Sequence, residues 1–156
     1  ADCIPVLLYD RQRRIVAAVH AGWRGTVNRI LAKTLHRMQS AYGTEGTDVI
    51  ACIGPGISLD SFEVGDEVYE AFRTENFPME YISVWKPETH KYHIDLWAAN
   101  RLQLSDFGVP SRQIENAGIC TYRQHEDFFS ARRLGIKSGR ILSGIMLNGQ
   151  EKGERK

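Results

Sequence analysis

The sequence predicts an α/β or α+β fold, in which a mixed β-sheet opens with an antiparallel hairpin and is flanked by about three helices. Three observations support this prediction. Two short apolar runs near the start are separated only by a polar stretch, and amphipathic segments then alternate with further apolar runs. The chain has 156 residues, which suit one domain and leave little room for two. We therefore interpret residues 1–156 as a single domain.

Each strand is predicted from a short apolar run that ends at polar or turn-forming residues. These runs are residues 4–9, 15–19, 48–53, 81–85, 92–94, 114–119 and 140–147. Helices are predicted where apolar residues recur at helical spacing, as in the series Val27, Ile30, Leu31, Leu35 and Met38. The helical segments are residues 26–42, 62–73 and 96–107, with a short helical piece at 128–134. The charged tail at 150–156 is expected to be frayed.

The hairpin places two reactive side chains opposite each other. Paired residues of an antiparallel hairpin have a constant index sum. If the turn is centred between Arg11 and Gln12, that sum is 23 and Cys3 pairs with His20. Their Cβ atoms would then lie about 5 Å apart on one side of the sheet. A thiol and an imidazole at that separation can share a metal ion, or act as a nucleophile and its base; the plain alternative is a buried cysteine and a strand-end histidine.

Composition and charge exclude several classes of protein. Lysine and arginine total 20 and aspartate and glutamate total 19, so the net charge of +1 gives no electrostatic case for a nucleic-acid or membrane partner. No apolar run approaches the ~18 residues of a membrane span. The three cysteines, Cys3, Cys52 and Cys120, argue against a disulfide framework and favour a cytoplasmic protein. Because the sequence starts without methionine at the head of an apolar strand, we expect it to lack its N-terminal part.

The segment His20-Ala-Gly-Trp-Arg-Gly25 joins the second predicted strand to the first predicted helix. Two glycines, a tryptophan and an arginine make a poor packing element at such a turn, but they suit a binding site. Glycines permit close approach of the backbone, and a helix N-terminus attracts an anion. Arg24 is therefore the first candidate to hold a phosphate or a carboxylate through two parallel hydrogen bonds.

Several motifs together resemble the laccase-domain family of bacterial YfiH-like proteins, whose members are also called polyphenol oxidases or purine nucleoside phosphorylases. The set begins with Ala1-Asp-Cys3 and His20-Ala-Gly-Trp-Arg-Gly25. It continues in the family's order with IGPGI at 53–57, FEVG at 62–65, IDL at 94–96, CTY at 120–122, FFS at 128–130, RR at 132–133 and GR at 139–140. Each motif alone is weak, but the set spans nearly the whole chain. The resemblance implies a YfiH-like fold.

The resemblance also implies a zinc site made of one cysteine and two histidines. Cys3 and His20 match two of these ligands. The third is a histidine in a Val-His-Gly-like motif upstream of the Ala-Asp-Cys motif, and this sequence has no residues there. A substitute ligand from His90, His93 or His125 is the alternative. Three protein ligands with a fourth, open position are typical of catalytic zinc.

The activities that the resemblance implies concern purine nucleosides. They are phosphorolysis of adenosine, inosine, guanosine and methylthioadenosine, together with deamination of adenosine. Copper-dependent polyphenol oxidation and a non-catalytic role in peptidoglycan editing are the alternatives. The resemblance implies zinc as the cofactor, with copper as the alternative. The five histidines of the sequence are too few for a multicopper cluster, which weakens the oxidase alternative. Cys3, His20 and Arg24 are the catalytic candidates, and purine nucleosides and phosphate are the expected small-molecule partners.

Candidate substrate-binding residues come from the same motifs. They are Arg24, Cys120, Tyr122, Phe129, Arg132 and Arg140. Arginines can clamp a phosphate, and aromatic rings, including that of Trp23, can stack on a purine; the alternatives are a solvated basic face and an ordinary core. Cys120 has the alternative of a buried, inert residue, and Cys52 is expected in the core because it lies in the middle of a strand. Asp2 is a candidate to orient a metal ligand through a hydrogen bond.

Overall fold

The computed structural model describes residues 1–149. Its strands are β1 (Ile4–Asp10), β2 (Ile15–Ala21), β3 (Val49–Ile53), β4 (Glu63–Val64), β5 (Ser83–Lys86), β6 (Lys91–Ile94) and β7 (Ile114–Asn116). Its α-helices are α1 (Trp23–Val27), α2 (Ile30–Tyr42), α3 (Asp66–Thr74), α4 (Met79–Ile82), α5 (Leu96–Asp106) and α6 (Ala131–Leu134). The tail that is predicted to fray lies outside the described residues.

The main sheet is mixed, as predicted, and it opens with the predicted hairpin. Its strand order is β2-β1-β3-β7, in which β1 is antiparallel to both neighbours and β3 is parallel to β7. A second, smaller sheet is antiparallel and has the order β4-β6-β5. The predicted fold class is therefore confirmed.

Three of the described helices correspond to the three main predicted helices. Among residues 1–149, α2, α3 and α5 have 13, 9 and 11 residues and correspond to the three main predicted helices. The other three helices of this range have five residues or fewer. None of the described helices combines the length and the apolar character that crossing a bilayer requires.

One face of the main sheet carries the core. Along β1, Ile4, Val6 and Leu8 are fully buried while the residues between them are partly exposed. This alternation is expected where one face of a sheet packs against helices. Leu31 and Leu35 of α2 are fully buried as well and belong to the same cluster. The side chains of the opposite, outer face of the hairpin are therefore free to build a site.

The segment 140–147 is not the strand that its apolar residues predict, since no strand is assigned there. The segment lies instead against the outer face of the hairpin, where Ile141 borders a cleft with Leu7 and Met146 borders another with Tyr9. Arg14 anchors its end by donating from Nη2 to the carbonyl of Asn148 at 3.2 Å. A strand needs the backbone edge of a partner, and this segment meets side chains of a sheet face.

The predicted helix 26–42 begins earlier than expected and is interrupted. α1 starts at Trp23, and α2 starts only at Ile30, because Arg29 between them is left-handed with a φ of 57°. The Arg29 guanidinium carbon lies 4.0 Å from the centre of the Phe77 ring, and its Nη2 donates to the Glu75 carbonyl at 2.9 Å. These contacts with a distant segment offset the strain of a left-handed arginine. Apolar spacing along the helix carries no information about them.

Pairing in the small sheet displaces two predicted boundaries. The predicted helix 62–73 begins only at Asp66, because Glu63 and Val64 form β4 and pair with β6. The predicted strand 81–85 is also divided, since residues 79–82 form α4 and β5 begins at Ser83. The first correction arises because pairing with a distant strand overrides local apolar spacing. In the second, β5 is confined to residues that pair with β6 in a local hairpin.

Two further elements differ from their predictions only at an end. The predicted strand 114–119 stops at Asn116. The predicted helical piece 128–134 begins at Ala131, because Ser130 caps it by accepting a hydrogen bond from the Arg133 amide at 3.2 Å. This short helix, α6, matters below because it carries Arg132.

Candidate active site

The structure brings Cys3 and His20 to one end of the hairpin through a register that differs from the predicted one. His20 pairs with Pro5, so the index sum is 25 and the predicted sum of 23 is wrong. A shift by two residues leaves every side chain on the same face of the sheet. Cys3 and His20 therefore still share the outer face of the hairpin, diagonally and not directly opposite each other.

The turn of the hairpin explains this shift. The buried Asp10 carboxylate accepts hydrogen bonds from the amides of Gln12 and Arg13, each at 3.0 Å. Burial opposes ionisation of Asp10, but the hydrogen bonds outweigh it and lower the pKa of the carboxyl. The turn closes at Arg14, which is left-handed with a φ of 54°. The four residues 11–14 thus stay outside the ladder, where the predicted centring leaves only two for the turn.

Gly22 marks the point at which the thiol and the imidazole meet. A Cβ atom at this position would lie 2.8 Å from Sγ of Cys3 and 3.6 Å from Nε2 of His20. Both donor atoms therefore approach one small space, which is open only because residue 22 has no side chain. The close backbone approach that the glycines of this motif predict is present at Gly22.

Gly22→Ala should weaken zinc binding by about tenfold, because the added methyl occupies the space that the two donor atoms share. The Cys3 side chain would have to turn away from His20. Competition with a chromophoric zinc chelator measures the affinity. Gly144→Ala is the matched control, since a Cβ there meets no atom within 4 Å. Equal affinity in the two variants would contradict the pairing of Cys3 with His20 as ligands.

Burial affects the ionisation of the Cys3 thiol. Burial raises the pKa of the Cys3 thiol, and the positive charge of Arg140 acts in the opposite direction without cancelling this effect. The thiolate is the nucleophilic form, so a raised pKa lowers the reactivity of a metal-free cysteine near neutral pH. A bound cation reverses the balance because it deprotonates a coordinating thiol.

The donor set fits part of a zinc site. Catalytic zinc takes about three protein ligands, and Cys3 and His20 supply a sulfur and a nitrogen of the right kinds. Residues 1–149 contain no group of three or more His, Cys, Asp or Glu side chains that could hold an ion. The alternative ligands His93 and His125 contact the carbonyls of Leu59 and Arg123 at 3.0 and 3.4 Å, away from this pair.

Cys3 stands in the wall between two cavities. The first, which we call the His20 cavity, has a volume of about 220 Å³ and lies over the outer face of the hairpin between His20 and Ile141. The second, the Arg132 cavity, has a volume of about 310 Å³. Besides Cys3, its walls include Asp2, Trp23, Ile57, Phe62, Leu96 and Arg132. Apolar walls with a few polar groups are typical of small-molecule sites, which run from roughly 300 to 1,000 Å³.

Arg24 lies outside both cavities. It falls in the first turn of α1, which begins three residues before the predicted helix. Its guanidinium is exposed and lies 4.2 Å from the centre of the Trp23 ring, an ordinary cation–π contact. Trp23 borders the Arg132 cavity, so Arg24 touches this site only through the indole.

Arg132, another of the predicted substrate-binding residues, is an exposed residue in the wall of the Arg132 cavity. Its Nη1 donates to the Glu63 carbonyl at 2.8 Å, and its guanidinium carbon lies 5.4 Å from the centre of the Phe62 ring. Its backbone amide donates to Oδ2 of Asp2 at 2.8 Å. A guanidinium has several N–H donors, so the hydrogen bond to Glu63 leaves others that can meet an anion in the cavity.

Arg140 and Phe129 shape a neighbouring loop. The Arg140 guanidinium donates to the carbonyls of Ile136 and Gly139 at 3.2 and 3.1 Å, so it folds back on its own segment. The Phe129 ring is 48% exposed and covers Gly139 so closely that a Cβ there would overlap it. Neither residue borders the two cavities. The positive charge of Arg140 nevertheless acts to lower the pKa of Cys3.

Tyr122 and Cys120 also lie behind the cavity walls. Tyr122 packs against the core, with the Arg133 guanidinium carbon 5.2 Å from the centre of its ring. Cys120 is buried, and its sulfur accepts hydrogen bonds from the amide and hydroxyl of Ser58 at 3.4 and 3.1 Å. Burial by itself would raise the pKa of this thiol, but its hydrogen bonds with Ser58 and Ser61 outweigh this effect and lower the pKa. Neither residue borders the cavities around Cys3.

The prediction that Cys52 belongs to the core is wrong. Its neighbours Ala51 and Ile53 are buried and Cys52 is exposed, because β3 alternates between a core face and the outer face. Conversely, the cavity residues Ile57 and Phe62 are not predicted as site residues. Their only sequence signal is membership in the IGPGI and FEVG motifs, since apolar residues in such positions otherwise indicate core.

Comparison with known proteins agrees with the motif order. A sequence model of the family described as multi-copper polyphenol oxidoreductase laccase matches residues 1–148. A purine nucleoside phosphorylase of Bacteroides thetaiotaomicron is 65% identical over 148 residues, which are 95% of this chain and 55% of that protein. Adenosine deaminase RL5 of an unknown prokaryotic organism is 50% identical over 145 residues, which are 93% of this chain and 55% of that protein. The chain thus spans about half the length of the curated relatives it matches.

The fold agrees with the same group of proteins. The crystal structure of the Bacillus licheniformis hypothetical protein YfiH superposes with a TM-score of 0.78 at 34% sequence identity. The match covers 85% of this chain and 50% of that one, and it confirms the expected YfiH-like fold. From the family match, the sequence identities and the shared fold, the chain belongs to the laccase-domain family of YfiH-like proteins.

Proposed function

We propose that the protein is a zinc-dependent purine nucleoside phosphorylase that also deaminates adenosine. The observation that carries this proposal is the approach of the Cys3 sulfur and the His20 Nε2 to one point, beside a cavity that contains Arg132. A metal-binding pair, an arginine and aromatic walls suit a nucleoside that reacts with phosphate. The names of two relatives, a purine nucleoside phosphorylase and an adenosine deaminase, support the same chemistry.

In this proposal Cys3 and His20 hold the metal. The third ligand is the histidine of the Val-His-Gly-like motif that the family resemblance implies, outside residues 1–149. A zinc ion bound there supplies a Lewis acid and activates water for deamination. Gly22 keeps the space between the two side chains open, and the turn at Asp10 fixes the register that brings them together.

Arg132 binds inorganic phosphate, and the base lies between apolar walls. Phosphorolysis forms a bond between a phosphate oxygen and C1′ of the sugar, and it breaks the bond from C1′ to the base, which leaves with a proton. Trp23 and Phe62 border the same cavity as Arg132, so a purine held there can stack on an aromatic ring. Ile57 and Leu96 add apolar surface to the wall of the same cavity.

The test uses the full-length protein, purified with zinc and given adenosine. With phosphate, we expect free adenine and ribose 1-phosphate; in both the presence and absence of phosphate, we expect inosine from deamination. Chromatography separates the bases, and an enzymatic assay measures the sugar phosphate. Removal of zinc by a chelator should abolish both reactions, and added zinc should restore them. Absence of base release in the zinc-loaded protein would overturn the assignment as a phosphorylase.

Arg132→Ala should raise the KM for phosphate by about tenfold or more, because it removes a charge-assisted hydrogen bond to an anion. Initial rates over a series of phosphate concentrations measure this change. Arg123→Ala is the matched control, since Arg123 is exposed and pairs with Asp60 at 3.0 Å on the surface. The sequence also predicts an increase for Arg24→Ala. A larger increase for Arg24→Ala than for Arg132→Ala would show that the clamp is at α1 and contradict our assignment.

Copper-dependent polyphenol oxidation is the second candidate, and the family description favours it. One cysteine and one histidine also suit copper, since simple copper centres use two histidines and a cysteine. The metal decides between the candidates. Activity that is restored by copper and not by zinc, with oxidation of a phenol and no release of base, would support the oxidase.

A further inference from the structure

Asp2 connects Cys3 to three distant parts of the chain. Its Oδ1 accepts a hydrogen bond from the Thr121 hydroxyl at 2.8 Å, and its Oδ2 accepts one from the Arg132 amide at 2.8 Å. Its own carbonyl accepts a third from the Ile57 amide at 2.9 Å. The residue immediately before Cys3 is thus fixed to three segments, and two of them, at Ile57 and Arg132, border the Arg132 cavity.

A carboxylate suits these contacts, because it accepts at both of its oxygens. The Arg132 amide can only donate, and the buried Thr121 hydroxyl donates to the other oxygen. Asparagine offers one carbonyl oxygen and a donor group in place of the second oxygen. The backbone of Asp2 is left-handed with a φ of 69°, a conformation that aspartate and asparagine tolerate better than most residues. Asparagine therefore keeps the backbone and changes only the hydrogen bonding.

The contact with Arg132 has a consequence for the cavity. Arg132 is held at two points, at its amide by Asp2 and at its guanidinium by the Glu63 carbonyl. α6 has only four residues, so its position depends on such contacts more than on its own helical hydrogen bonds. The Asp2 side chain therefore determines where Arg132 stands relative to Cys3, which follows Asp2 in the chain.

We propose that Asp2 is a positioning residue, which sets the distance between the metal ligand Cys3 and the anion-binding Arg132 by joining the Cys3 segment to α6. The expected effect of Asp2 on the KM for phosphate rests on the proposed function, because it assumes that Arg132 binds phosphate. Its structural consequence does not, since loss of the hydrogen bond to the Arg132 amide can be measured without any activity.

The test compares Asp2→Asn and Asp2→Ala with wild type in the full-length protein. Hydrogen exchange read by mass spectrometry should show faster exchange at the peptide that contains the Arg132 amide, more in Asp2→Ala than in Asp2→Asn. Asp2→Ala should raise the KM for phosphate by about tenfold, with a smaller change in kcat and unchanged zinc content. The double variant Asp2→Ala/Arg132→Ala should have a KM for phosphate close to that of Arg132→Ala alone, because both substitutions act on the Arg132 guanidinium. Asp60→Asn, which alters an exposed carboxylate in a neighbouring loop, is the control.

Three outcomes would overturn the proposal. The first is an unchanged hydrogen-exchange rate at the Arg132 amide in the Asp2 variants. The second is a double variant whose KM increase equals the product of the increases in Asp2→Ala and Arg132→Ala. The third is a loss of zinc from Asp2→Ala with no change in the exchange rate of α6. If wild type shows no phosphorolysis, the proposed function fails, and the exchange measurement alone decides the role of Asp2. If the Asp2 variants do not fold, Thr121→Val replaces them, because it removes the hydroxyl that donates to Asp2 Oδ1. This variant must then show a smaller increase in both the exchange rate at the Arg132 amide and the KM for phosphate.

Discussion

Cys3→Ser should remove the zinc that the proposed function requires and lower the proposed phosphorolysis of adenosine by about two orders of magnitude or more, because each lost ligand removes several kcal/mol of metal binding. Serine nearly preserves the size of cysteine, but its hydroxyl stays protonated near neutral pH and is a poor ligand for zinc. The fold should survive, since Cys3 is only partly buried and lies just before β1. Elemental analysis of the purified protein measures zinc, and initial rates at saturating phosphate measure activity.

Cys52→Ser is the matched control for this experiment. Cys52 lies on the same outer face of the main sheet, paired with Leu7 of β1, and it is exposed. The same chemical change there should leave zinc content and rate unaltered. His20→Ala should reproduce the loss of zinc seen in Cys3→Ser, because the two side chains approach one point beside Gly22. Zinc and activity that survive in Cys3→Ser would place the metal site elsewhere in the protein.

The pairing of Cys3 with His20 could be predicted from the sequence, because it depends on local pattern. Two apolar runs around a polar turn define a hairpin, and strand side chains alternate with a period of two. The predicted register is wrong by two residues, yet that error preserves the shared face. An error of one residue would have put Cys3 and His20 on opposite faces. The Asp10 hydrogen bonds that lengthen the turn have no signature in apolar spacing.

The position of the arginine that we propose to bind the anion could not be predicted in the same way. Arg24 stands in a glycine-rich turn next to His20, so local reasoning favours it, but its guanidinium lies on the outer side of Trp23. Arg132 reaches the cavity because Asp2 and Glu63, which are far away in sequence, hold it there. Such contacts form only when the chain has folded. The motif order of the family supplies Arg132 as a candidate without indicating which of several arginines enters the cavity.

Gly56 links the packing of the core to the Cys3 segment. A Cβ atom at residue 56 would press into Cδ1 of the fully buried Ile4 and lie 3.1 Å from the carbonyl oxygen of Asp2. The Gly56 carbonyl accepts a hydrogen bond from the Thr121 amide at 3.0 Å, so the loop has no freedom to withdraw. Overlap with buried atoms must therefore move either Ile4 or the backbone at Asp2 and Cys3.

Gly56→Ala should accordingly lower the free energy of unfolding by about 1–3 kcal/mol, the usual cost of overpacking a core, and should weaken zinc binding as Cys3 moves. Urea denaturation measures the first effect and chelator competition the second. Ile4→Val removes the Cδ1 atom that the new methyl meets, at a cost of its own of about 0.5–1.5 kcal/mol. The double variant should be more stable than the sum of the two single effects by about 1 kcal/mol, because one change makes room for the other. Simple additivity would show that the methyl is accommodated elsewhere, and zinc affinity that recovers in the double variant would tie the position of Cys3 to this contact.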